Sequence, residues 1–155
     1  MAKVESGYQI TLSWVPVINR NIPGNAVRAG SDLYVIRGQM GDEWVPGKYI
    51  CSHGVGYVPY GGQEVAKDDV EVLCVTGCGS GNFYEWRHGR GGNVPKSSVC
   101  ASIASDGNPV FVARARVQGE MAVGKVHLGH DCAYMPWGGR EVPVDEYEVL
   151  VWLKK

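Results

Sequence analysis

Laid over itself, the chain matches its own second half, and that duplication restricts its possible folds more than any other feature. The segment Leu33 to Leu73 lies over Val110 to Leu150 without a gap, and 16 of the 41 paired residues are identical. Agreement at that level marks duplicated units. Upstream the spacing falls from 77 to 72 residues, with Trp14 over Trp86, Ile22-Pro23 over Val94-Pro95 and Val27 over Val99. The five-residue difference is an insertion just before the strand beginning at Leu33 or Val110, where the second copy carries Ser105-Asp106-Gly107-Asn108-Pro109. Repeat 1 therefore occupies about residues 8–76 and repeat 2 about residues 82–153, with Gly77 to Asn82 as linker.

The shared residues are those of strands and tight turns. Val70 to Val75 and Tyr147 to Trp152 are β-branched and aromatic runs of strand length, as are Leu33 to Arg37 and Val110 to Arg114. Pro59-Tyr60-Gly61-Gly62 and Pro136-Trp137-Gly138-Gly139 supply turn chemistry, since Gly adopts positive φ and Pro fixes it negative. No window of a dozen residues keeps a helical apolar face, and Gly or Pro interrupts the chain every few residues. The expected fold is all-β, built from short antiparallel strands. A repeat this long holds four or five strands, a sheet too small to cover its own apolar face. The two copies are therefore expected to intertwine or pack face to face, with internal pseudo-twofold symmetry, as one domain over residues 1–155. Arg37 and Arg114 stand inside apolar strands and need partners, for which Glu71 and Glu148 are the candidates.

Taken in order, Leu33-Tyr34-Val35-Ile36-Arg37, Pro46-Gly47-Lys48, Tyr57 to Glu64 and Val70 to Leu73, with their second copy from Val110 to Leu150, resemble the DM-nine repeat family. The resemblance runs from about Ile22 to Trp152. It implies a tandem-repeat recognition protein, of a kind whose members include mannose-binding lectins of innate immunity that act as dimers without calcium. Related modules also precede pore-forming domains in natterin-like toxins. The length here leaves no room for such a domain, so recognition is the role expected to carry over.

The resemblance further implies that the Lys of Pro-Gly-Lys and an Asp in the loop before the first strand hold the sugar. Lys48 and Lys125 match that Lys. The Asp positions depart from the family pattern of Gly-x-Asp-x-Asp-Gly: repeat 2 has Ala104 at the first and Asp106 at the second, while repeat 1 shortens the loop to Gly30-Ser31-Asp32. Asp32 is expected to support Lys48, and Asp106 to support Lys125. A carboxylate beside an ammonium suits vicinal hydroxyls, each both donor and acceptor. Glu43 and Glu120, five residues before the lysines, are candidates for a second carboxylate. Because each lysine follows a glycine, it is expected at the end of a turn, where its loss leaves stability unchanged. Tyr60 and Trp137 are expected to pack in the core.

Other functions are less consistent with the residues. A formal net charge of −1, with both signs interspersed, offers no footprint for nucleic acid or an anionic membrane. Five cysteines in a chain without an apparent signal peptide point to free thiols, a cytoplasmic location and, if secreted at all, an unconventional route. Cys51 with His53, or Cys132 with His130, could form a nucleophile and base, yet neither pairing recurs in the other repeat and no oxyanion-hole motif accompanies it. We therefore expect no enzyme, no metal and no cofactor. The expected function is a calcium-independent lectin for mannose-type glycans, acting as a homodimer. The alternative is a non-catalytic scaffold that binds protein or lipid without sugar recognition.

Overall fold

The computed structural model of the chain describes residues 3–4, 7–8, 12–76 and 83–153; the linker expected at Gly77 to Asn82 lies outside them. All its named elements are strands. The short strands β1 (Lys3–Val4) and β2 (Gly7–Tyr8) pair with each other. Repeat 1 then forms β3 (Leu12–Pro16), β4 (Arg28–Gly30), β5 (Leu33–Met40), β6 (Glu43–Ile50), β7 (Val55–Tyr60), β8 (Gln63–Lys67) and β9 (Val70–Val75). Repeat 2 forms β10 (Tyr84–Arg90), β11 (Cys100–Ile103), β12 (Pro109–Val117), β13 (Glu120–His127), β14 (Ala133–Trp137), β15 (Arg140–Val144) and β16 (Glu146–Trp152). Each repeat thus holds seven strands rather than four or five. The hairpins turn on as few as two residues, such as Gly61-Gly62, so the breaks between strands are shorter than they look in sequence.

The main sheet is antiparallel and runs β10-β16-β12-β13-β14-β15-β8-β7-β6-β5-β9-β3, with β11 beside β12 and β4 beside β5. Its order is a palindrome. Each half is the other read backwards, and the halves meet where Arg140 of β15 pairs with Gln63 of β8. The expected pseudo-twofold symmetry is therefore written into the strand order.

Burial alternates along the strands, so both faces are used. Val35, Leu73, Val112 and Leu150 point to one face, where residues of both repeats build a shared core with Val27, Val99 and Val123. Ile36, Val58, Val70 and Val72 point the other way into a cluster belonging to repeat 1. Ala113, Ala133, Met135 and Val149 form its counterpart in repeat 2. A sheet buried on both faces must curl, and the shared core is what neither repeat can complete alone. Among the described residues no helix is long and apolar enough to cross a membrane.

The arginines carry the same exchange in polar form. Arg37 stands opposite Glu71 and Arg114 opposite Glu148 in strand register, as the sequence suggests. The Arg37 Nε–H donates to Glu71 at 2.8 Å, and that of Arg114 to Glu148 at 2.9 Å. Each guanidinium also crosses to the other repeat: Arg37 donates to the Ala101 carbonyl at 2.6 Å, and Arg114 to the Ala29 carbonyl at 2.9 Å. Arg37 lies 4.8 Å from the ring centres of both Trp14 and Trp44, and Arg114 lies 4.4 Å from that of Trp86. Each such stacking adds about 0.5–2 kcal/mol, more as water is excluded.

Gly47 and Gly124, next to the two lysines, sit within β6 and β13 rather than in turns. A Cβ on Gly47 would lie 2.1 Å from the Tyr57 carbonyl oxygen, and one on Gly124 2.0 Å from that of Tyr134. Glycine is there because the neighbouring strand's backbone passes too close for any side chain. Gly47→Ala or Gly124→Ala is therefore expected to cost at least about 2–3 kcal/mol through overpacking. Gly24→Ala, with nothing within 4 Å of its Cβ and no positive φ, should instead be neutral or raise stability by up to about 1 kcal/mol. Urea unfolding of the three variants checks the contrast.

Candidate functional site

The seam between the halves gathers the motifs of the duplication. The turn Pro59-Tyr60-Gly61-Gly62 of repeat 1 lies against Pro136-Trp137-Gly138-Gly139 of repeat 2. Glu64, two residues beyond the first turn, accepts a hydrogen bond from the Gly139 backbone N–H at 2.9 Å. Glu141 does the converse, accepting from Gly62 N–H at 2.9 Å. The Glu141 N–H also donates to the Gly62 carbonyl at 3.0 Å. Each repeat's glutamate thus caps the other repeat's turn.

The lysines hold those glutamates. Lys48 Nζ lies 3.0 Å from Glu64 Oε2, and Lys125 Nζ lies 3.0 Å from Glu141 Oε2. Lys48 also donates to the Pro136 carbonyl across the seam at 2.7 Å. Aromatic faces complete each setting. Tyr57 lies 5.6 Å from Lys48, and Tyr60 of the opposite repeat lies 5.3 Å from Lys125. Tyr60 and Trp137 are half-buried against their own repeats' clusters, which fits the expected core packing.

This corrects the picture of turn-end lysines free to change. Both stand inside strands, and Lys48 is only 6 % exposed. The ion pairs are with Glu64 and Glu141, not with Asp32 and Asp106. Strand register explains the difference. Lys48 stands opposite Val35, well inside β5, whereas Asp32 precedes β5 and turns toward the next corner. There its carboxylate accepts from the Ser52 hydroxyl at 2.9 Å. Lys125 likewise faces Val112, while Asp106 lies in the inserted loop and bonds His127 at 2.8 Å.

Asp106 also accepts from Asn108 N–H at 2.9 Å, and that bond, followed by the one from His127, holds its carboxyl below the usual range. Ala104, at the family pattern's first Asp position, is buried, so an Asp there would have to displace core contacts. Glu43 reaches across to the same loop, accepting from the Ser105 hydroxyl at 3.0 Å, whereas Glu120 is exposed and has no partner among the described residues. The six residues singled out therefore fall into separate places. Only the two lysines sit at the seam, and Glu64 and Glu141 are the carboxylates that belong with them. Their signal was present in sequence, since both are identical in the two copies and follow the Gly-Gly turn.

The remaining candidates are arranged differently. His53 turns Nδ1 toward the Tyr57 hydroxyl at 3.2 Å, and its counterpart His130 packs edge-on against Tyr134. Burial, followed by the charge of Asp32, pushes the Cys51 thiol up, away from the thiolate form. The four described cysteines are free thiols.

A palindromic sheet locked by reciprocal side chains defines the class: a tandem β-repeat protein whose copies complete each other. The family model for the DM9 repeat matches residues 28–144, and the chain belongs to the DM9 repeat family. It is 32 % identical over 154 residues to Natterin-4 of Thalassophryne nattereri, covering 90 % of this chain and 33 % of that protein. It is 35 % identical over 66 residues to Natterin-3 of the same organism, covering 43 % of this chain and 16 % of that protein. The chain thus spans a third or less of the curated relatives it matches. In the crystal structure of the nematode sperm cell motility protein MFP2B, 45 % of that chain superposes on 92 % of this one with a TM-score of 0.60. At 14 % identity that likeness concerns the fold alone.

Because Glu64 is only 13 % exposed, Lys48→Met is expected to lower stability by about 3 kcal/mol, as a buried carboxylate loses its counter-charge. Adding Glu64→Gln should restore part of that loss, since no unpaired charge remains and the amide oxygen still accepts from Gly139. Urea unfolding of the wild type, the two single variants and the double variant measures the coupling, expected above about 0.5 kcal/mol.

Proposed function

We propose that the protein is a calcium-independent carbohydrate-binding protein of lectin type, with mannose-type glycans as ligands and Lys125 with Glu141 as the main site. The observation that carries this reading is the unspent hydrogen-bonding capacity of Lys125. Its ammonium has three N–H groups, and Glu141 is its polar partner among the described residues. Two N–H groups of this partly buried ammonium, 12 % of whose side chain is exposed, are the ones we assign to ligand hydroxyls, beside the half-buried Tyr60 ring. Lys48 spends one more N–H on the Pro136 carbonyl and forms the weaker copy. The carboxylates are held by cross-repeat N–H bonds, so little ordering is left to occur on binding.

Family resemblance supports the sugar class, and the choice of mannose rests on it. A shallow site of this kind binds near the millimolar range, about −4 kcal/mol, so capture of a glycan-coated surface needs several sites on one particle. Homodimerisation is proposed on that ground. No step of this recognition calls for a nucleophile, a metal or a cofactor.

Mannan pull-down and mannose titration test the reading, with and without EDTA. Binding is expected in both conditions. Lys125→Met should reduce it more than Lys48→Met, with folding followed by circular dichroism. Tyr60→Leu, which keeps an apolar contact and removes the ring, should weaken binding without touching the ion pairs. Wild-type mannan binding by a folded Lys125→Met variant would sink the assignment.

A further inference from the structure

The two repeats differ sharply where each one's first turn meets a later corner. In repeat 1 the chain reverses through Ile18-Asn19-Arg20-Asn21, closed by Asn21 N–H donating to the Ile18 carbonyl at 3.0 Å. Repeat 2 reverses through Arg90-Gly91-Gly92-Asn93, closed by the same bond at 3.0 Å. Both turns place two central residues at positive φ: 62° and 86° at Gly91 and Gly92, 54° and 60° at Asn19 and Arg20. Glycine adopts this conformation freely and asparagine tolerates it, whereas arginine holds it against its own Cβ.

An exchange of side chains accompanies the difference. In repeat 2 a Cβ on Gly92 would lie 1.9 Å from the His130 carbonyl oxygen, so the corner fills the space. In repeat 1 the glycine is on the other partner: Gly54 stands at the position of Asp131, and a Cβ there would lie 2.9 Å from Arg20 Cδ. Arg20 therefore occupies room that glycine leaves for it, at a backbone angle its copy gives to glycine.

What results in repeat 1 is a cleft of about 300 Å³ between the turn and the β6–β7 corner. That volume is at the small end for ligand sites and suits one ring rather than a chain of them. Val17 and Val55 form apolar walls. Tyr49 lines the cleft and is only 2 % exposed, yet its hydroxyl has no hydrogen-bond partner among the described residues. The hydroxyl is not sealed from solvent, since Trp152 Nε1 alone is a buried side-chain polar atom without a partner among the described residues, so this phenol offers the cleft a donor and an acceptor that a ligand can take over from water. Asp68 lies on the lining as well. Its counterpart Asp145 faces Arg90 at 3.8 Å, but the Arg90 position in repeat 1 is Ile18, and Asp68 has no ion pair among the described residues.

We propose that this cleft is a second binding site, confined to repeat 1, for a single acidic monosaccharide unit. The ligand carboxylate meets the Arg20 guanidinium, whose planar fork matches it. Ring hydroxyls donate to Asp68 and bond the Tyr49 hydroxyl, and the apolar ring face lies on Val17 and Val55. The cleft uses no residue of the Lys125 site, so either assignment can fail without the other.

Titration of the ¹⁵N-labelled full chain with sodium D-glucuronate, with D-glucose as neutral control, tests the proposal. Saturable shifts are expected at Arg20, Tyr49 and His53, with glucose weaker by about tenfold or more for want of the charge-assisted bond. Arg20→Gly, the residue repeat 2 carries, should weaken glucuronate by a similar factor while melting no lower than wild type, because the turn's strain is relieved. Tyr49→Phe, which removes only the hydroxyl, should also weaken it. Absence of saturable shifts, equal binding of glucose, or undiminished glucuronate affinity in Arg20→Gly would each overturn the proposal. Mannan binding by Arg20→Gly is expected to stay at the wild-type level; its loss would overturn the claim of an independent site.

Discussion

The carboxylate of Glu64 is bound at once by the lysine of its own repeat and by a backbone N–H of the other, and Glu141 repeats the arrangement in the opposite direction. Sheet order, shared core and candidate sugar site all depend on this reciprocal lock. It places the two Gly-Gly turns edge to edge, which lets β8 and β15 pair and joins two small sheets into one. Charges this far from water are stabilising only when every partner is in place. In this register each carboxylate meets both its lysine and a backbone N–H of the other repeat.

Away from the seam, Arg37 and Arg114 perform the same exchange, each bonded to a glutamate in its own repeat and a carbonyl in the other. Between the two polar zones lies the apolar core built by both copies. A repeat on its own would expose that face and leave its arginine and glutamate without their cross-repeat partners. The duplication thus supplies each copy with core and hydrogen-bond partners from the other.

The copies are nevertheless unequal, and function can enter through that inequality. The inserted loop of repeat 2 brings Asp106 to His127, whose ring stacks on His130 at 4.3 Å. Repeat 1 has instead a tight turn with Asp32 at a φ of 57° and Trp44 where repeat 2 has Met121. Lys48 has one more polar partner than Lys125, the Pro136 carbonyl, and Arg20 opens a cleft where Gly92 closes one. A symmetric scaffold has in this way acquired two halves with different surfaces.

By itself the sequence determined the duplication, the all-β class and the Arg37–Glu71 and Arg114–Glu148 pairs. Each of these depends on local composition, on period, or on residues recurring at matched positions. It also marked the two lysines as belonging together. Their partners were a different matter. Asp32 and Glu64 are both 16 residues from Lys48 in sequence, and the family resemblance pointed to the Asp of the loop before β5. Only the tertiary structure decided for Glu64 and Glu141, because strand register sets which side chains share a face and the seam sets which repeat they reach. The same holds for Gly47, whose closeness to the Tyr57 carbonyl has no trace in composition, and for the Tyr49 cleft. Contacts between residues far apart in sequence are fixed by how strands pair and curl, and no local pattern of residue types carries that information.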